Sequence, residues 1–108
     1  MASGMSNASE INYILLLFQN ADWANFGDAA GLQNSAAAGS LYVGLATATL
    51  SDTSTQTTSQ AAYGSYTRVG VARSAGGWTQ SAGQASNTAA TTFPACTSGS
   101  ETETDFTV

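Results

Sequence analysis

Ile11, Ile14, Leu15 and Phe18 recur at the three-and-four spacing of one helix face, and the sequence predicts an α-helix over 7–20. Asn7 is placed to cap the first turn. Glu10, three residues later, can reach back to the cap amide and also suits the positive end of the helix. Tyr13, Leu16 and Leu17 widen the stripe, so more than one side of this helix is expected to be covered, by its own domain or by a neighbouring chain. Residues 1–6 are small and polar enough to form a flexible tail. Trp23 and Phe26 read as core or interface anchors. Residues 27–40 lose all periodicity and read as a loop, with room for a helical turn at Ala36.

Beyond Ser40 the period changes from helical to alternating. Leu41, Val43 and Leu45 alternate with Tyr42, Gly44 and Ala46, as a half-buried strand requires, and Gly44 marks a bulge or a close backbone approach. Thr49 to Gln60 is almost wholly Ser, Thr and Gln and predicts a long exposed loop. A hairpin is expected between Tyr66 and Gln80, turning at Ala75, Gly76 and Gly77, with Trp78 folding back over the first strand. A loop over 81–86 should lead to an extended strand over Asn87 to Phe93, ended or held at an edge by Pro94. In the last stretch Thr102, Thr104, Phe106 and Val108 alternate with Glu103, Asp105 and Thr107. That pattern predicts a terminal edge strand that another chain completes, or the truncation of a longer product. The fold class is therefore mainly β with an N-terminal α-helix, a small antiparallel β-sandwich or sheet. It forms one domain over 7–108, with its β-rich region at 41–108.

Composition narrows the function. Charged residues are 8% of the chain against 43% hydrophobic, so the surface must be largely uncharged, which favours a life spent packed against other chains. Seven acids face only two cations, Arg68 and Arg73, with no Lys. This excludes a basic patch for nucleic acid and argues against an anionic membrane surface. The apolar run Ile14–Phe18 is too short to span a bilayer, and residues 1–10 lack the basic start of a secretory signal, so synthesis and folding in the cytosol are expected. The lone Cys96 reads as a small buried apolar residue.

Candidate chemistry is scarce. Without His or Lys the chain has no imidazole base, no Schiff-base amine and no ordinary zinc site, so an enzyme is not expected, nor is a metal or cofactor. Glu101, Glu103 and Asp105 share one strand face and could in principle bind calcium or serve as an acid pair for glycoside hydrolysis, but a solvated strand face explains them more simply; Asp22 and Asp28 are read the same way. Gly27 and Gly31 have GxxxG spacing outside any apolar segment, which carries little meaning. Asn7-Ala8-Ser9 is a formal glycosylation sequon, read here as part of the helix start. Arg68 and Arg73 could each hold an acid of a neighbouring subunit or pair with Asp or Glu within the domain. Together with Ile11, Ile14, Leu15 and Phe18 they are the candidate partner-contact residues.

The order of short motifs from Leu41 onward adds a family resemblance. Leu41-Tyr42-Val43-Gly44-Leu45, Tyr66-Thr67-Arg68-Val69-Gly70-Val71-Ala72-Arg73, Gly77-Trp78-Thr79, Asn87 and Phe93-Pro94-Ala95-Cys96 resemble a family of small tailed-bacteriophage virion proteins. The apolar helix resembles the start of that family too. Thr47-Ala48-Thr49-Leu50-Ser51 stands where relatives often carry a T-A-D-P-G turn. The resemblance implies a virion structural protein. The leading expectation is a capsid decoration or cement protein that binds the major capsid protein between coat subunits; the alternative is a tail or tail-fibre component in host contact, and a carboxylate hydrolase is a minor third. A homo-oligomer is expected.

Overall fold

The computed structural model describes residues 4–24, 26–27 and 31–108. Asp28 and the first three residues of the expected tail lie outside them. Among the described residues the chain forms one helix and five short strands: α1 (Asn7–Gln19), β1 (Ser40–Ala46), β2 (Val69–Ala72), β3 (Trp78–Ser81), β4 (Gln84–Asn87) and β5 (Asp105–Thr107). The strands make a three-stranded sheet in the order β2-β1-β5 and a two-stranded β3-β4 sheet, which is the mainly β class that the sequence predicts. Two compact units divide the chain, one built from residues 1–40 and 72–90, the other from 41–71 and 91–108.

In the first unit, α1 packs on the β3-β4 hairpin. Its cap is Ser6, not Asn7: the Ser6 hydroxyl accepts from the Ser9 amide at 3.3 Å and donates to the Ser9 hydroxyl at 3.1 Å. A serine one residue earlier does the same work with a shorter side chain, which puts Glu10 one position too far along for the expected reciprocal bond. The helix ends where Asn20 adopts a left-handed conformation (φ 56°), and the Asn20 side chain exchanges hydrogen bonds with the backbone of Ser35. Trp78, 5% exposed, is the largest buried residue, and the Phe18 ring meets it edge-on with centroids 4.9 Å apart. Trp23 pairs through its backbone with Leu32 and stacks at a tilt on Phe26. No helical turn forms at Ala36.

The hairpin is not the one expected. β3 pairs with β4, Trp78 opposite Asn87 and Ser81 opposite Gln84, so the turn is Ala82-Gly83. Both turn residues have positive φ (49° and 76°), the two-residue geometry whose twist matches that of the flanking strands. The Gly-rich stretch before Trp78 instead makes a tight turn in which Ser74 accepts from Gly77 and Trp78. The segment expected as a strand over 87–93 is extended only as far as Asn87.

In the second unit, Val43, Ala46 and Ala61 are buried around β1. Gly44 is a close approach rather than a bulge. A Cβ there would lie 2.9 Å from Thr107 Oγ1 and 3.3 Å from the Tyr66 hydroxyl, and the β1-β5 register reaches it in step, with Gly44 opposite Thr107 and Leu45 opposite Phe106. Tyr66 stacks on Phe93 and meets Tyr63 edge-on, and its hydroxyl accepts from the Leu45 amide at 2.9 Å. The Ser/Thr-rich loop contains two turns of the same design. In one, Ser54 N–H donates to Ser51 C=O while Ser51 N–H donates to the Ser54 hydroxyl; in the other, Thr58 and Thr55 repeat the exchange.

Candidate interaction surfaces

The expected helix contacts Ile11, Ile14, Leu15 and Phe18 are all half-buried, and Phe18 is engaged by Trp78 of the same unit. Of the large apolar side chains of the helix, Tyr13 and Leu17, one turn apart, are exposed.

Arg73 caps this helix from outside it. Its Nε donates to the Leu17 carbonyl at 2.7 Å, Nη2 to Leu16 at 2.8 Å and Nη1 to Ala38 at 3.0 Å. The last turn of α1 carries no basic residue of its own, so a guanidinium brought from the far side of the sequence both satisfies the orphan carbonyls and neutralises the negative helix end. Spacing alone could not reveal this. Arg68, in the second unit, gives Nη2 to the Gln56 carbonyl at 3.1 Å and to Gln60 Oε1 at 2.9 Å, while its Nε is buried without a partner. Among the described residues, the hydrogen bonds of both arginines go to carbonyl oxygens, not to the acids considered for them. Tyr42, Gln56, Gln60 and Arg68 together line an open groove on the second unit, with the Gln56 amide bonded to the Tyr42 carbonyl at 2.7 Å.

The acidic stretch is a partly solvated face whose carboxylates are held in place, Glu101 exposed and Glu103 and Asp105 half-buried. Glu101 Oε1 accepts from the Ala62 and Tyr63 amides, each at 2.7 Å, and Asp105 Oδ2 accepts from the Leu50 amide at 2.7 Å. Each carboxylate therefore pins a loop of the same unit to the C-terminal stretch. Glu103 lies between them with a buried, unpartnered Oε2. Desolvation raises its pKa, and the charge of Glu101 and a hydrogen bond to it add to the effect. The Tyr63 phenol is also pushed up, first by desolvation and then by Glu103, and donates its proton to the Pro94 carbonyl at 2.9 Å. Among the described residues no group of three or more Asp, Glu, Cys or His converges to hold a metal ion.

With Glu103 and Asp105 half-buried, the alternation of the last strand presents its other row. Phe106 is 68% and Val108 50% exposed, while Asp105 and Thr107 are half-buried. Cys96, expected inside, is exposed; its thiol donates to the Ser98 carbonyl at 3.2 Å, because the stretch after Pro94 runs as irregular chain over the surface. That Tyr42 and Phe106 are left in solvent does not follow from strand periodicity, which assigns two faces without saying which is covered.

Among the described residues no helix is long and apolar enough to cross a membrane. No curated protein and no solved structure matches the chain. Residues 27–108 match the family model described as the podophage GP4 fiber I protein gp80, a range that takes in all five strands, both arginines and the exposed Phe106–Val108 row. The resemblance to small tailed-phage virion proteins thus holds over most of the sequence, and the chain belongs to the podophage GP4 fiber I protein gp80 family of virion structural proteins.

Proposed function

We propose that this chain is a component of the phage tail fibre, assembled from several copies and taking part in host contact. The capsid cement role, which composition and resemblance put first, is the less well supported of the two. The observation that carries this reading is the match of residues 27–108 to a fibre protein family. Two features agree with it: exposed apolar side chains remain on both units, and the Ser/Thr-rich loop stands in solvent with its shape fixed by its own hydrogen bonds. The carboxylates of Glu101, Glu103 and Asp105 act structurally in this reading, and no reaction is assigned to them.

Immunogold labelling of intact virions, with copy number from quantitative mass spectrometry, tests the proposal. Label at the tail, in few copies and lost together with adsorption, is the expected result. Label spread over the shell in hundreds of copies, lost together with shell stability, would return the protein to a cement role.

A further inference from the structure

Leu45 sits opposite Phe106 in the β1-β5 ladder, yet its backbone faces the other way: its N–H donates to the Tyr66 hydroxyl and its C=O accepts from the Ala61 amide, each at 2.9 Å. Leu45 and Phe106 are therefore a non-hydrogen-bonded antiparallel pair, and the N–H and C=O of Phe106 must also point away from β1. Strand alternation turns the backbone groups of Thr107 back toward Gly44 and those of Val108 outward again. β5 is the edge of its sheet. Along that edge, the residues whose backbone groups are open are the same two whose side chains are most exposed.

Edge strands are ordinarily guarded by Lys, by Pro or by charges. The chain has no Lys, Pro94 lies well before the edge, and the nearby acids are engaged elsewhere: Glu101 and Asp105 accept from amides of their own unit, and Glu103 is half-buried. The side chains of the open row are thus uncharged although the chain carries a net −5, so two copies can approach here without bringing acidic side chains together.

We infer that β5 pairs antiparallel with β5 of a second copy about a two-fold axis at Thr107. In that register Phe106 lies opposite Val108 of the other copy, and Val108 opposite Phe106. Both are hydrogen-bonded pairs, because all the groups involved already point outward. Each pair sets an aromatic against a β-branched side chain, a favourable cross-strand combination. The edge is self-complementary, which is why a second copy is the occupant. This deepens the proposed fibre role by naming the contact through which copies join. The two readings fail separately, since labelling of virions does not depend on the register.

The test uses the full chain. A contact of this size is weak alone, so sedimentation is followed up to roughly 100 µM, where a monomer–dimer equilibrium is expected. Phe106→Pro removes an outward N–H while leaving the bonds to β1 intact; it should abolish dimerisation with an unchanged melting temperature. For register, Phe106→Cys and Val108→Cys chains, both in a Cys96→Ser background, are mixed and oxidised. The mixture should cross-link, because directly opposed hydrogen-bonded residues lie about 5.5 Å apart, whereas either chain alone places its thiols on a diagonal of about 7–8 Å and should not. A monomer at the highest concentration, a Phe106→Pro chain that still dimerises, or a trimer whose mixed thiols stay free would each overturn the inference.

Discussion

Arg73 reaches Leu17 across fifty-six positions of sequence, donating its Nε to the Leu17 carbonyl at 2.7 Å. With the bonds to Leu16 and Ala38, one planar fork closes the end of α1 and ties it to the segment before β1. Hydrogen bonds from a charged donor contribute more than neutral ones, so Arg73→Met should lower the unfolding free energy by about 2–3 kcal/mol in urea titrations. Arg73→Lys should recover less than half of that, because a point charge cannot span three carbonyls at once.

Trp78 holds the first unit together from the other side of α1. Trp78→Ala removes the ring that Phe18 packs against and should cost about 3–5 kcal/mol, seen as a large drop in melting temperature. Trp78→Phe should cost much less. The indole Nε1 is buried without a partner, so the smaller ring also removes an unsatisfied donor.

Gly44→Ala places a methyl group 2.9 Å from Thr107 Oγ1, and the two cannot both stay. A loss of about 1–3 kcal/mol is expected. Combining it with Thr107→Ala should cost less than the sum of the two single changes, and a double-mutant cycle by chemical denaturation measures the difference.

Glu103 gives the protein a pH-dependent weakness. Its folded pKa lies above its unfolded one, so the folded state holds the proton more tightly. The penalty is absent below the unfolded pKa, grows as pH rises toward the folded pKa, and is complete above it. Glu103→Gln should therefore raise the melting temperature at about pH 7 and have little effect at about pH 3, where the carboxyl is protonated in both states.

Helix α1 and strand β1 were legible because each carries several turns or alternations of apolar residues, and their patterns belong to one period only. The hairpin was misplaced by a local ambiguity. Ala75-Gly76-Gly77 looks more like a turn than Ala82-Gly83, and what favours the second is the two-residue geometry together with the packing of β3 and β4 on α1. Phe106 illustrates a different limit. The alternation of the last strand is as the sequence predicts, but Glu101 and Asp105 accept hydrogen bonds from amides far away in sequence, which holds the acidic row against its own unit and leaves the apolar row outside. Arg73 and Arg68 were picked out for their rarity, while their carbonyl partners follow from chain folding that no spacing encodes.

The paired turns at Ser51–Ser54 and Thr55–Thr58 separate the outline of their loop from most of its letters. Each is closed by a backbone bond and by one hydroxyl at its fourth position, and a serine or a threonine there supplies the same acceptor. Gln56 apart, whose amide is bonded to the Tyr42 carbonyl, the remaining positions can vary in the face they show to the outside. A stretch built this way can change in sequence while presenting the same scaffold.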